Sequence, residues 1–316
     1  MATQESSSES LIDPAITARL AAQPLLARFP MEGSVSGMHR SPHRGSSVEF
    51  AEYRQYVPGD DLRRLDWRVL GRTDRYYLKE FEAETNLRCY FVIDCSGSMG
   101  FTSGETTKLD YAIKLAAHLA YQIIGQGDAA GLVSVGPKII TEIPPKRTPS
   151  HLQLILDQLQ EIRPQGETGL AETLHELAEK AKRRALVLIF SDCFTELDPL
   201  IHSFQHLRFQ KHDVGLFHIM DPKELAFDFD RPIRFTDLES SFSLVTEPSM
   251  VRDAYLEQLQ QFQTGLQKGC HECNGDYRLV LNHQDASQVL GDFLVDRAKA
   301  LSIRWFVMET AQLLRN

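Results

Sequence analysis

Beyond Leu87 the chain alternates short, unbroken apolar runs with segments of helical period, and this alternation constrains the fold more than any other feature. The runs at 89–93, 131–135, 185–190, 214–219 and 277–281 are of strand length. Between the first two, Leu109, Ala112, Ile113, Ala116, Ala120 and Ile123 recur at helical spacing, and residues 151–162, 170–183, 197–209 and 251–266 read as further helices. A parallel crossover needs a connection of helix length, and strands covered on both faces are continuously apolar. The pattern predicts an α/β fold, a doubly wound and mainly parallel sheet over residues 87–300. In such a sheet ligands bind at the carboxyl ends of the strands, so chemistry is expected in the loops after Ile93 and Phe190. Weak alternation at Phe235, Leu238, Phe242 and Leu244 predicts a hairpin insertion at about 227–248, and a C-terminal helix is expected at 301–316.

The first part of the chain is different. Residues 1–10 are polar, Ser-rich and aperiodic, the composition of a disordered tail. Asp13-Pro14 is a helix-start signal, with Ile16 and Leu20 on one face of a short helix docked on the body. From Gly33 to Thr85, Arg, His and Asp are dense and aromatics are interleaved. Strands are expected at 48–57 and 76–81, and a short helix at 60–70 that Gly71 stops. Residues 11–86 thus read as an N-terminal subdomain of mixed α and β structure.

Composition limits the functions available. In 316 residues, 42% hydrophobic, a sizeable core can be buried. An excess of 43 acidic over 34 basic residues, net charge −9, argues against a protein whose main work is coating nucleic acid or anionic membrane. The five cysteines are odd in number and thinly spread, with no charged-then-apolar leader, and suit a reduced, cytoplasmic protein. No apolar stretch approaches the roughly 20 residues needed to cross a bilayer, so no direct membrane insertion is expected.

The loop after the first central strand reads Asp94-Cys95-Ser96-Gly97-Ser98-Met99, a carboxylate followed by hydroxyls two and four residues on. A hard ion such as Mg²⁺ takes about six oxygens at roughly 2.1 Å, and short oxygen side chains on a tight turn can supply them. Thr168 precedes a helix, Asp192 follows the 185–190 strand, and the topology brings both loops to the same edge. Asp94, Ser96, Ser98, Thr168 and Asp192 are therefore a candidate metal set. The first triplet alone would also serve as a helix N-cap.

These five residues match the metal-ion-dependent adhesion site of von Willebrand factor type A domains. That resemblance implies Mg²⁺ or Mn²⁺ held by the hydroxyls and carboxylates, directly or through water, with a partner's Glu or Asp supplying the last ligand. It implies protein–protein binding without catalysis. The earlier segment Gly37-Met38-His39-Arg40-Ser41-Pro42 and the stretch from Arg54 through Tyr56-Val57-Pro58-Gly59-Asp60-Asp61 to Arg64-Leu65-Asp66-Trp67 resemble the signature of the domain of unknown function 58 family. Glu84-Thr85-Asn86-Leu87 and residues 212–222 extend the likeness over most of 11–300. The resemblance implies a von Willebrand A-like protein partnered with a MoxR-type AAA+ ATPase or its client, as an adaptor in remodelling or maturation. Many relatives carry membrane helices, and this chain is similar to the branch without them.

Other features read more plainly. The arginines near Tyr and Trp could form a nucleic-acid patch, but Glu49, Glu52, Asp60, Asp61, Asp66 and Asp74 nearly neutralise them. Ion pairing within the subdomain is expected instead, through Arg54, Asp60, Arg64 and Asp66, with Trp67 as a packing anchor. Cys270 and Cys273, with His283 as the nearest further ligand, make only a weak zinc pattern. His202, His206, His212 and His218 read as surface or packing residues. No nucleotide-binding glycine motif and no second Asp two residues after Asp94 is present, so the enzyme alternative is a metal-dependent hydrolase centred on Asp94 and Asp192.

Overall fold

The computed structural model describes residues 11–28, 39–40, 49–55, 77–82, 84–85, 87–229, 233–236, 238 and 243–313. The chain divides into two compact units, one formed by the residues up to Arg28 together with those from Arg88 onward, the other by Phe29–Leu87. Helix α1 (Pro14–Leu20) belongs to the first unit. Asp13 caps it by accepting from Ala15 N at 2.8 Å, and the Asp13 N–H donates to His118 Nε2 at 2.9 Å.

Within Phe29–Leu87, β1 (His39–Arg40) pairs antiparallel with β4 (Glu84–Thr85), and β2 (Glu49–Gln55) with β3 (Tyr77–Glu82). Arg54 lies in β2 opposite Leu78. The expected helix at 60–70, and with it Asp60, Arg64, Asp66 and Trp67, falls outside the described residues.

The larger unit carries a six-stranded sheet. Its elements follow as β5 (Arg88–Asp94), α2 (Lys108–Gly125), β6 (Ala129–Val135), β7 (Ile139–Lys146), α3 (Pro149–Glu161), α4 (Leu170–Lys180), β8 (Leu186–Ser191), α5 (Leu197–Phe209) and β9 (Asp213–Met220). After them come α6 (Pro222–Ala226), β10 (Ile233–Thr236), β11 (Ser243–Thr246), α7 (Pro248–Glu272), β12 (Asp276–Leu281) and α8 (Ala286–Leu313). Strand order is β12-β9-β8-β5-β6-β7, and only the β6–β7 pairing is antiparallel. This is the doubly wound α/β fold that the alternation predicts.

Strand β7 escapes a sequence reading because Pro144 and Pro145 lie within it. Proline cannot donate to a central ladder, and β7 is an edge strand. Helix α8 runs unbroken from Ala286 to Leu313, so the helix expected at 301–316 is, as far as Leu313, its continuation, and residues 314–316 lie outside the described residues. β10 and β11 pair antiparallel, Ile233 opposite Thr246, at the place where the weak alternation lies.

β6, β8 and β9 are buried along their whole lengths, as strands covered on both faces must be. Val92, Ile189 and Leu216 fall in register across three strands and meet Leu174 and Leu177 of α4, Leu200 and Phe204 of α5, and Leu266 of α7. Phe190 stacks on Phe217 at 4.8 Å, and Phe293 of α8 reaches Phe217 at the same centroid distance. At the amino ends of β9 and β12 a buried ionic cluster closes the unit. Arg297 of α8 binds both Asp213 and Asp276, its Nε donates to Leu26 O at 2.6 Å, and Arg28 also binds Asp276. No helix among the described residues is long and apolar enough to cross a membrane.

Candidate metal centre

The strand order reverses between β5 and β8. From β5 the chain proceeds to β6 and β7 on one side, then returns past β5 to β8 on the other. The loops leaving two parallel neighbours in opposite directions open a crevice at their carboxyl ends. Asp94 is the last residue of β5 and Ser191 the last of β8, with Asp192 directly after it.

Three backbone bonds shape the loop after β5. Cys95 N donates to Val135 O at 2.8 Å, Gln165 N to Cys95 O at 2.8 Å, and Gly97 N to Gly166 O at 2.8 Å. They tie the loop to β6 and to the connection that precedes α4. Gly97 is required by close approach: a Cβ there would stand 2.2 Å from the carbonyl oxygen of Leu238, between β10 and β11. The hairpin backbone therefore lies against the loop.

Within this frame four of the five predicted residues meet through hydrogen bonds. Ser96 N donates to Asp94 Oδ1 at 3.0 Å, the Ser96 and Ser98 hydroxyls lie 3.1 Å apart, and Thr168 Oγ1 donates to Asp94 Oδ2 at 3.2 Å. Asp192 faces the same cluster electrostatically. Burial, and then the charge of Asp192, push the Asp94 carboxyl up to about 6, against the bonds from Ser191 and Ser96. Asp94, Ser96 and Asp192 are fully buried, while Ser98 and Thr168 are half-buried. The donors are all oxygen, two carboxylates and three hydroxyls, which is the chemistry a hard divalent ion takes. Among the described residues no group of three or more His, Cys, Asp or Glu side chains could hold a metal.

Several residues of the site lie outside the five that the sequence pattern singles out. Ser191 Oγ donates to Asp94 Oδ2 at 2.6 Å and accepts from Cys193 N at 2.8 Å, bridging the two strand ends. Lys108 Nζ donates to Asp192 Oδ2 and to Glu224 Oε1, each at 2.7 Å. Burial alone would pull this ammonium down, but Asp192 and Glu224 outweigh it and hold Lys108 above its ordinary value. His218, fully buried, donates from Nε2 to Asp192 O at 3.0 Å and accepts at Nδ1 from the Tyr277 hydroxyl at 2.9 Å. Burial pushes His218 down to about 4, so the imidazole is neutral and braces the backbone beneath Asp192. Cys193 follows at φ 56, a left-handed conformation unusual for a residue with a side chain. An Asp or Ser after a strand could have been read from sequence, but the lysine and histidine reach the site only through the tertiary fold.

The remaining motif residues lie elsewhere. Cys270 and Cys273 are buried in the core on the α4, α5 and α7 side of the sheet, and all five cysteines are free thiols. His212 is buried and accepts from Ala185 N at 3.2 Å, while His206 is half-buried and pairs with Glu179 and His175.

A mainly parallel α/β domain with an oxygen-rich cluster at its switch point is the class that fold and site define. The chain belongs to the family described as protein of unknown function DUF58, whose model matches residues 52–264. An uncharacterized protein of Mycobacterium tuberculosis is 28% identical over 234 residues, 72% of each chain. The uncharacterized protein YeaD of Bacillus subtilis is 30% identical over 105 residues, 33% of this chain and 24% of that one. Among solved structures, an aerotolerance-related membrane protein from Bacteroides fragilis aligns at TM-score 0.47 and 16% identity, over 68% of this chain and 100% of that one. The VWA domain of SpRpn10 aligns at TM-score 0.40 and 12% identity, over 65% and 94%. At such scores the fold assignment rests on the strand order itself.

Proposed function

We propose that this chain is a non-enzymatic protein-interaction module. Asp94, Ser96, Ser98, Thr168 and Asp192 hold Mg²⁺ or Mn²⁺, and an acidic side chain of a partner protein completes the coordination. The observation that carries this reading is the convergence of the Ser96, Ser98 and Thr168 donors on or beside Asp94 at the switch point, with Asp192 adjacent. A bound divalent ion would supply a positive charge incompletely neutralised by the chain's own ligands, to which a carboxylate is drawn. The chain's residues do the rest. Ser191 fixes Asp94, His218 fixes the backbone of Asp192, and half-exposed Phe194 and exposed Leu238 give the edge of the site an apolar border.

The hydrolase reading is less well supported. Both ring nitrogens of the buried His218 are engaged, by Tyr277 and by Asp192 O, which removes that imidazole as a general base. The partner we favour is a MoxR-type AAA+ ATPase or its client, on the family resemblance, with the chain as a cytoplasmic adaptor. The test is calorimetric Mn²⁺ binding and copurification with the host's MoxR-type ATPase, comparing wild type with Asp94→Ala, in Mg²⁺ and in chelator. Binding of ion and ATPase that Asp94→Ala and chelator both abolish is the expected result. Partner capture equal in all four conditions would sink the metal-bridged mechanism.

A further inference from the structure

Lys108 is wholly buried, and it is the first residue of α2, directly after the Thr107 cap. Both facts run against local preference. The amino end of a helix carries partial positive charge that repels an ammonium, and burial of a cation costs several kcal/mol on the order of that for any unpaired ion. A residue that breaks two local rules is held by something else. Here it is held by a pair of carboxylates, Asp192 and Glu224 at 2.7 Å each, with the Phe194 ring 4.7 Å from Nζ. Glu224 is itself fixed, because Oε2 accepts from the Asp221 N–H at 2.9 Å in the capping box of α6. The ammonium therefore stands at a defined place against one of the two candidate metal carboxylates.

We propose that Lys108 is a positioning residue of the metal site, a resident cation that occupies Asp192 Oδ2 and sets how strongly the divalent ion is held. With one oxygen committed to Lys108 and the other accepting from Phe194 N, Asp192 offers the ion an oriented but largely neutralised carboxylate. Asp94 is left as the one carboxylate with its charge unspent on a cation. The ion is bound weakly, exchanges readily and retains charge for an incoming carboxylate. In chelator the same ammonium balances Asp192, so the fold does not depend on metal. The inference rests on the metal-site reading above and adds to it a residue outside the five.

The experiment is Mn²⁺ titration calorimetry, with thermal melts in chelator and in Mn²⁺, on the full chain as wild type, Lys108→Met, Lys108→Arg and Asp94→Ala. Removing the cation should tighten Mn²⁺ binding by about tenfold or more, as expected for one unit charge beside a divalent ion. Lys108→Arg, which keeps the charge, should stay within about threefold of wild type by the same reasoning. Lys108→Met should also melt lower in chelator and gain more from Mn²⁺ than wild type does. No binding by wild type, or binding that Asp94→Ala leaves intact, overturns the metal site and this inference together. Binding that Asp94→Ala abolishes but Lys108→Met leaves unchanged overturns the role of Lys108 alone. Should Lys108→Met fold in neither buffer, lysine-selective ¹⁵N NMR of wild type decides, with Lys108→Arg for assignment. A slowly exchanging ammonium signal that shifts yet persists in Mg²⁺ is expected. A signal unmoved at saturating Mg²⁺, or lost to solvent exchange, overturns the proposal.

Discussion

Replacing Arg297 by Met removes the cation at the centre of the buried cluster at the amino ends of β9 and β12. Arg297 and the Asp213 side chain are 1% and 0% exposed, and the guanidinium also binds Asp276 and Leu26 O. Without it, among the described residues, Asp213 keeps the Arg28 N–H at 3.2 Å and Asp276 keeps Arg28. Breaking a buried pair from one side leaves an uncompensated charge and costs about 3–5 kcal/mol. For a unit of this size that is a fall in Tm of roughly 10 °C. Arg297→Met combined with Asp213→Asn removes both partners, and it should recover about half of the loss or more. Urea unfolding followed by circular dichroism, at fixed pH and salt, measures all three chains. A loss below about 1 kcal/mol in the single variant, or a double variant that is worse by the full sum, would refute the ionic account. Because the cluster lies at the opposite strand ends from Asp94, any Mn²⁺ binding at the proposed site should be unchanged in the folded fraction.

Gly97→Ala places a methyl 2.2 Å from Leu238 O and 2.9 Å from its carbonyl carbon, so loop or hairpin backbone must shift. A stability loss of about 1–3 kcal/mol and faster proteolysis near Leu238 are expected, and a variant with wild-type Tm and cleavage would contradict that approach. The folded Asp94 carboxyl is raised to about 6 from an unfolded value near 3.8, so the folded chain keeps a proton that the unfolded chain loses. In chelator, stability relative to Asp94→Asn should be greatest below the lower value and fall by about 3 kcal/mol as pH rises through the higher one, then level off. Melts across this range check the sign, and a rising slope would be inconsistent with a buried carboxyl beside Asp192.

What the sequence could announce was whatever repeats or sits at a strand end. Continuous apolar strands such as 185–190 announced a covered sheet, and the order of that sheet put Asp94, Thr168 and Asp192 on one edge. Strand β7 was hidden because its two prolines oppose the usual strand signal and only an edge position tolerates them. Lys108 was hidden for a different reason. On a helix pattern it reads as a solvated residue next to Leu109, and nothing along the chain shows that Glu224, 116 residues on, turns back to meet it. His218 likewise looked like packing, and only the neighbouring β12, through Tyr277, gave its ring a fixed tautomer against the Asp192 carbonyl.

The bond from Thr168 to Asp94 spans 74 residues of chain, and that from Ser191 spans 97. The Ser191 contact cannot exist until β8 has been laid beside β5, so a chain that has not yet made that pairing presents Asp94 without Ser191. A partner that docked on the assembled cluster, as proposed above, would thereby recognise that β8 has joined β5. Docking would act as an inspection of the folded state, and partner occupancy would stabilise only chains that had already passed it.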